Sequence, residues 1–573
     1  FTLVQQFDKA FQKARRQRRL LDFSDLEHEA IRLLTDRYTG KPTAAAREIA
    51  SGYREILVDE YQDSNAIQET IFQAVSQSGQ NLFMVGDVKQ SIYRFRLADP
   101  DLFLRKYSAY PDAADAAPGQ PRKLLLSDNF RSREEVLAAA NDVFSLVMNR
   151  ESCELDYGEA ERLRAGMTFP PVEGPLVELH CINLHDGTDD DGPGLEKVQE
   201  EAAFVARRIA QLLNGGCMVA EGEGLRPAKP GDIVILMRSP RTRLRAFTDA
   251  LRRERIPCSS GEQSAFFATT EIAVLFSFLQ IIDNPRQDVP LIAVLRSPLF
   301  GFTPDELAAI RARQRTGDFY DALLLSEDIH SREFLDTLDA LRNSAAHLSV
   351  RELLSEIYRR CNVLGIFGAM RRGAERKENL LAFLELSEDY ARSGRQGLFD
   401  FVRTLREQLA EGEAGTMQTA HASTGVRIMS IHKSTGLEFP VVILSDLARR
   451  FSNMDFLSSV LVHPQLGLGP VCVDTQRHIQ YPAVARQALE RTLRREAKAE
   501  ELRVLYVAMT RAKEKLVMVH TQANAKSRVA DLLALSDCPV LPEAVDSGKC
   551  MGDWIMLPLL QRSEAASLRE LAG

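Results

Sequence analysis

Apolar positions along this chain fall into two rhythms. Short unbroken runs at Ile56–Val58, Leu82–Val85, Leu124–Leu126 and within 232–238 (DIVILMR) are bounded by polar residues and read as buried strands of an open α/β sheet. Arg427–Leu444 (RIMSIHKSTGLEFPVVIL) sets a strand, a polar loop with Gly436 and a second apolar strand in series. Elsewhere apolar residues recur at helical spacing: Phe1–Phe11, Leu26–Leu34, 196–213, nearly all of 303–412, and 500–516. After about residue 530 come a helix, a turn and a second helix holding Trp554. Tyr110–Pro121, rich in Pro, Ala, Asp and Gly, reads as a loop, and Glu411–Gly425, rich in Gly, Ala and Thr, as a linker.

The first strand runs into Asp59-Glu60-Tyr61-Gln62-Asp63. The second runs into Gly86-Asp87 and then Gln90-Ser91-Ile92-Tyr93-Arg94-Phe95-Arg96. Ligands of open α/β sheets sit beyond the carboxyl ends of the strands, so Asp59 and Glu60 are expected to face a nucleotide phosphate. Adjacent carboxylates can divide labour there, one helping to hold Mg2+ and the other polarising an attacking water. The alternative is a pair of solvated acids at a strand end. Gln90, just past the neighbouring strand, can reach the same phosphate. Beyond it, Tyr93, Arg94, Phe95 and Arg96 alternate π faces with cations, as in a stacking platform for single-stranded bases. A core-packed Tyr and Phe flanked by surface arginines fits the composition equally well.

Composition narrows the classes. At 573 residues the chain exceeds a single core. Its 72 basic and 80 acidic residues give a net charge of −8, which excludes bulk electrostatic coating of nucleic acid and leaves only a local, lined groove. The basic run Lys13–Arg19 is one such candidate, or a solvated helix face. No stretch approaches the ~18 apolar residues of a membrane span, and no secretory signal opens the chain, so a cytoplasmic location is expected. The eight cysteines are scattered without a C-x-x-C pair, which suits reduced thiols rather than a metal site or disulfide framework. Thr39-Gly40-Lys41-Pro42-Thr43 imitates a phosphate-binding loop, but Thr35 and Pro42 stand where G-x-x-x-x-G-K-[ST] needs Gly and Ser or Thr, so a turn is expected. No true loop of that kind occurs in the sequence, and the start at Phe1 inside a helical pattern reads as a fragment.

DEYQD and GDVKQSIYRFRLADP resemble motifs II and III of the UvrD/Rep group of superfamily 1 DNA helicases, and RFRLADP is most similar to the AddA-type subunit of bacterial helicase-nucleases. Other segments carry the resemblance in order. Leu21–Leu26 (LDFSDL) is similar to the segment before motif II, although Asp22 or Ser24 also suits a helix N-cap. Asn129-Phe130-Arg131-Ser132 resembles motif IV, Arg427–Leu444 motif V and Glu500–Leu516 motif VI, while 266–301 and 373–405 resemble the inserted subdomain of AddA-type chains. The resemblance implies that Arg131 and Arg511 approach the γ-phosphate, that Glu438 holds the ribose, and that Asp59 serves Mg2+ and Glu60 the attacking water. It also implies DNA contacts for Phe23, Tyr93, Phe95, Arg96, Ser430 and His432. Thr435 stands where the family usually has Lys. For Arg503, Lys513 and Lys515, local i,i+4 pairing on a helix is a sufficient account.

The implied fold is α/β: two RecA-like P-loop NTPase-type domains, the first incomplete, with a large all-helical insertion. The implied division is 1–121 for the first domain with the end of a helical arm, 122–266 and 424–535 for the second, 267–423 for the helical insertion, and 536–573 for the start of a linker to a nuclease region. The implied function is an ATP- and Mg2+-dependent 3′–5′ helicase motor. It would act on single- and double-stranded DNA beside an AddB-type partner subunit in double-strand break repair. A stand-alone UvrD-type repair helicase, and a DNA-binding scaffold without ATPase activity, are the competing readings.

Overall fold

The computed structural model describes residues 2–18, 20–184, 195–222, 224–260, 266–267, 269–392, 397–410, 425–536 and 540–572. All of the linker expected at Glu411–Gly425 except Gly425 lies outside them. The chain divides into two compact units, Phe1–Ser260 with Ser423–Gly573, and Gly261–Ala422.

The first unit is built on a six-stranded, all-parallel sheet. We label its strands with the others in chain order: β1 Ile56–Val58, β2 Leu82–Met84, β3 Val177–Leu184, β4 Ile233–Met237, β5 Cys258–Ser260, β6 Val426–Ser430, β7 Phe439–Leu444, β8 Val460–His463, β9 Gly467–Asp474, β10 Ile479–Pro482 and β11 Ala512–Ala523. The order across the large sheet is β3-β11-β7-β4-β6-β5. Its central strands are apolar on both faces because both are covered. Val234, Leu236, Val442, Leu444, Leu516 and Met518 join one core, while Ile233, Ile235, Met237, Val441, Ile443, Val517 and Val519 join the other. β8, β9 and β10 form a separate antiparallel sheet.

The structure corrects four sequence expectations. β1 and β2 pair in parallel, but they are not fully buried: Leu57 is 71% and Phe83 54% exposed. The pair forms a two-stranded sheet of its own, so successive side chains alternate between a covered and an open face. Leu124–Leu126 is not a strand, and Leu126 is 90% exposed; pairing begins only at Asp128–Asn129, opposite Arg164–Ala165. The helix of 500–516 stops at Met509 and gives way to β11, so Lys513 and Lys515 stand on a strand and pair with Glu438 and Glu178 rather than with helix neighbours. Finally, 540–572 is packed structure rather than the start of a linker. Helix Met551–Leu559 is buried almost throughout, and Trp554, fully enclosed, stacks on Phe451 at 4.6 Å and donates its indole N–H to the Val545 carbonyl. Its apolar residues are consecutive, as in a helix buried on all sides.

The segment at 39–43 is a turn, as its residues require. Asp36 Oδ1 accepts from the Tyr38 and Thr39 amides, Gly40 has φ +66°, and Thr43 caps helix Ala44–Gly52.

The second unit is helical, from Thr270–Asp283 through Leu398–Ala410, around a core that includes Leu275, Phe278, Leu338, Ile357 and Phe383. One polar feature in it has a measurable consequence. His330 Nδ1 donates to Glu306 Oε1 at 3.1 Å and Nε2 donates to the Phe300 carbonyl at 2.8 Å, with the ring stacked on Phe302. Both partners only accept, so both nitrogens must carry protons. Burial works against that charge, but the bonds to Glu306 and Phe300 outweigh it and raise the His330 pKa. A pKa raised on folding gives stability that is whole below about pH 6.5, the ordinary value, and is lost as pH rises through the folded value. Thermal melting is therefore expected to drop across neutral to mildly alkaline pH, and His330→Leu to flatten that part of the profile. An unchanged slope in the variant would rule the pair out as its source.

Candidate nucleotide and nucleic-acid site

The two clusters that matter lie at the two ends of one short segment, Asp87–Arg96. Its near end follows β2 and faces the acidic turn after β1. Gly86 permits the approach, since a Cβ there would collide with the Gln62 amide group. Gln62, 1% exposed, accepts from the Asp87 amide at 3.0 Å and donates to Glu60 Oε2 at 2.5 Å, tying the two strand ends together. Glu60 is held with φ +48°, a left-handed conformation that costs a non-glycine residue about 1–3 kcal/mol and tends to persist at functional sites. Its amide donates to Asp59 Oδ1 at 2.9 Å, and both residues are exposed. Behind them burial, with the charge of Glu60, pushes Asp63 up to about 7.

The cations arrive from the N-terminal ends of strands in the large sheet. β7 and β11 are paired at Phe439 and Ala512, so the residues just before them, Glu438 and Arg511, are neighbours across the sheet. Arg511 is 1% exposed. Its guanidinium donates to the Val507 carbonyl at 3.0 Å, the Leu437 carbonyl at 3.2 Å and Gln90 Oε1 at 3.1 Å. Burial, with repulsion from Arg131, pushes it down to about 10, so it is charged at neutral pH.

Arg131 is placed by stitching. Asn129 Oδ1 accepts from the Arg131 and Ser132 amides, Ser132 Oγ donates to the Ala512 carbonyl, and the Arg133 amide donates to the Lys513 carbonyl. Arg131 Nε then meets Glu438 Oε2 at 2.7 Å, and Lys513 Nζ meets Glu438 Oε1 at 3.0 Å. Partial burial of Glu438 is outweighed by these cations, which hold its pKa below the ordinary value. Gln90, Arg131, Glu438 and Arg511 thus form one group, Glu60 is joined to it through Gln62 and Asp87, and Lys513 is an addition that the sequence left to local helix pairing. Among the described residues no three of His, Cys, Asp and Glu gather to hold an ion. The donor set therefore fits Mg2+ only in the manner that ion favours, one carboxylate completed by substrate phosphates and water.

The far end of the segment is aromatic. Tyr93, half-buried, donates its hydroxyl to the His432 carbonyl at 3.3 Å, and Phe95 is 62% exposed. Arg96 covers both rings, at 5.4 Å from Tyr93 and 5.6 Å from Phe95. His432 presents its edge to both. Burial, with the positive charges of Arg238 and Arg96, pushes His432 down to about 4, and its Nε2 is enclosed. It is a neutral ring wall, with no charge to offer a phosphate. Ser430 Oγ accepts from the Lys433 amide, and Phe23, 89% exposed at the start of helix Phe23–Leu34, lies outside both clusters with Asp22 as its helix cap.

Residues 124–523 match the UvrD-like helicase C-terminal domain and residues 2–111 the UvrD/REP helicase N-terminal domain. The chain belongs to the UvrD-like helicase family. It is 38% identical over 624 residues to the ATP-dependent helicase/nuclease A-subunit of Pelotomaculum thermopropionicum, 37% over 682 residues to that of Heliobacterium modesticaldum and 36% over 639 residues to that of Clostridioides difficile. Each match covers 100% of this chain and 49% of the relative, so the chain spans about half the length of these relatives.

Proposed function

We propose that this chain is the motor portion of an ATP-dependent DNA helicase subunit of the AddA type. It would move 3′ to 5′ on single-stranded DNA in the cytoplasm, beside an AddB-type partner, in the processing of double-strand breaks for recombination. The observation that carries the reading is the bond from Arg511 to Gln90, three residues before Tyr93: one segment touches the cationic cluster at one end and carries the aromatic cluster at the other.

In this mechanism Glu60 orients and deprotonates the attacking water, and Arg131, Arg511 and Gln90 offset charge on the phosphoryl oxygens. Glu438, released from Arg131, accepts from the ribose. Asp59 would hold Mg2+, which supplies charge neutralisation between phosphates. Opening and closing of the cationic side against Gln90 shifts Tyr93 and Phe95 along the bases. The name of the relatives supports the helicase-nuclease assignment and the partner subunit.

The chain is expected to bind oligo-dT with strong salt dependence, and Tyr93→Ala and Phe95→Ala each to weaken binding about tenfold or more. The 573 residues by themselves are expected to hydrolyse no ATP, because they contain no G-x-x-x-x-G-K-[ST]. Binding to oligo-dT that is indifferent to both aromatic substitutions would refute the proposed DNA path, and ATPase activity of these residues alone would refute the proposed phosphate site.

A further inference from the structure

The helix Val484–Met509 that leads to Arg511 also carries a polar stripe along one face, at Glu496, Glu500 and Arg503. Spacings of four and three residues put these side chains on a common face. All of them grip the short stretch between Gln90 and Phe95. Arg503 Nε donates to the Ser91 carbonyl at 2.8 Å, Glu500 Oε1 accepts from the Arg94 amide at 3.2 Å, and Glu496 Oε1 pairs with Arg94 Nη2 at 2.8 Å. The two backbone bonds flank Ile92 and Tyr93. Ile92 is fully buried, in the core that includes Leu502 and Leu505 of the same helix.

Arg503 is the informative member. It is 0% exposed between apolar Leu502 and Val504, and its charge is offset by Glu154 at 3.3 Å and by the nearby Glu500 carboxylate. An aliphatic residue would pack there without the desolvation penalty of a buried guanidinium. What an aliphatic side chain cannot do is hold the Ser91 carbonyl. Glu154 also faces Arg94, at 3.6 Å, so the same carboxylate steadies both cations.

We propose that Glu496, Glu500 and Arg503 are positioning residues that fix the backbone of Ser91–Arg94 and thereby set the Tyr93 ring for base stacking. The inference rests on the reading of Tyr93 as a base-stacking residue.

The test uses this chain and an oligo-dT containing one 2-aminopurine, whose fluorescence is quenched when it stacks. Quenching is expected with the unaltered chain. Arg503→Ala and Glu500→Leu are expected to abolish it and weaken binding about tenfold, the scale of one lost stacking contact. Glu500→Gln, which keeps an acceptor for the Arg94 amide, should behave as the unaltered chain, and Arg503→Lys should recover part of the quench. Should Arg503→Ala fail to fold, the Glu500→Gln and Glu500→Leu pair decides. Full quenching by a folded Arg503→Ala or Glu500→Leu chain overturns the proposal. An unaltered chain that binds without quenching overturns the base-stacking reading first, and this inference with it.

Discussion

Glu60→Gln is expected to lower DNA-stimulated ATP turnover by about 10²–10⁴-fold, the usual range for removing a general base, in a protein that joins this chain to a phosphate-binding loop. Nucleotide affinity should hardly change. The substitution is nearly isosteric, and the hydrogen bond from Gln62 Nε2 to Glu60 Oε2 can be kept with the amide oxygen turned toward it. The strained φ of +48° is a backbone property, set by the turn into Tyr61–Asp63, and survives the change. What is lost is the ability to take a proton. Steady-state turnover beside equilibrium binding of a fluorescent nucleotide separates the two, and turnover at the unaltered rate would remove Glu60 from the proposed role. Gln62→Leu is a useful companion: it leaves the carboxylate but frees it, so a smaller loss is expected there.

Arg511→Lys is expected to cost about 10³–10⁵-fold in turnover, as for other arginines that meet a transferring phosphoryl group. Charge alone does not explain Arg511. Its guanidinium bonds at once to Val507, Leu437 and Gln90, a fork geometry that an ammonium cannot reproduce. The lysine variant would lose the bonds to the Val507 and Leu437 carbonyls, but Val507 keeps the Thr510 hydroxyl as a donor at 3.2 Å and Leu437 is open to solvent, so each loss costs about 0.5–1.5 kcal/mol. Loss of stability is therefore expected as well, and has to be separated from loss of chemistry. Thermal melting gives the first, and turnover measured well below the melting point gives the second. If turnover stays within a few-fold of the unaltered protein at such a temperature, the charge is sufficient and the fork is not needed. Since burial and Arg131 push Arg511 down only to about 10, no change in its charge contributes near neutral pH.

Much of the architecture is legible in the order of residues. The unbroken run at 233–237 has to be a strand covered on both faces, and the helical spacing from 303 onward has to be a helical body, because periodicity reports directly which faces are apolar. The strand ends at Asp59 and Gly86 are equally plain, and Glu60, Gln90, Arg131, Glu438 and Arg511 all stand out by residue type and motif. The misses have a common cause. Leu124–Leu126 reads as a strand but has no pairing partner among the described residues, Lys513 reads as a helix residue but follows a helix end, and Trp554 reads as part of the start of a linker but lies in the core. Each depends on a neighbour remote in sequence.

By itself, then, the sequence determined most of the elements and the chemical types at the candidate site, since both are local properties of residue identity and spacing. Only the tertiary structure decided that Arg511 bonds Gln90 across 421 residues of chain and that Arg503 holds Ser91 across 412. It also decided that His432 is a neutral wall rather than a cation. Those outcomes follow from burial and from which backbone groups are left needing a partner, and both quantities exist only once distant segments are packed together.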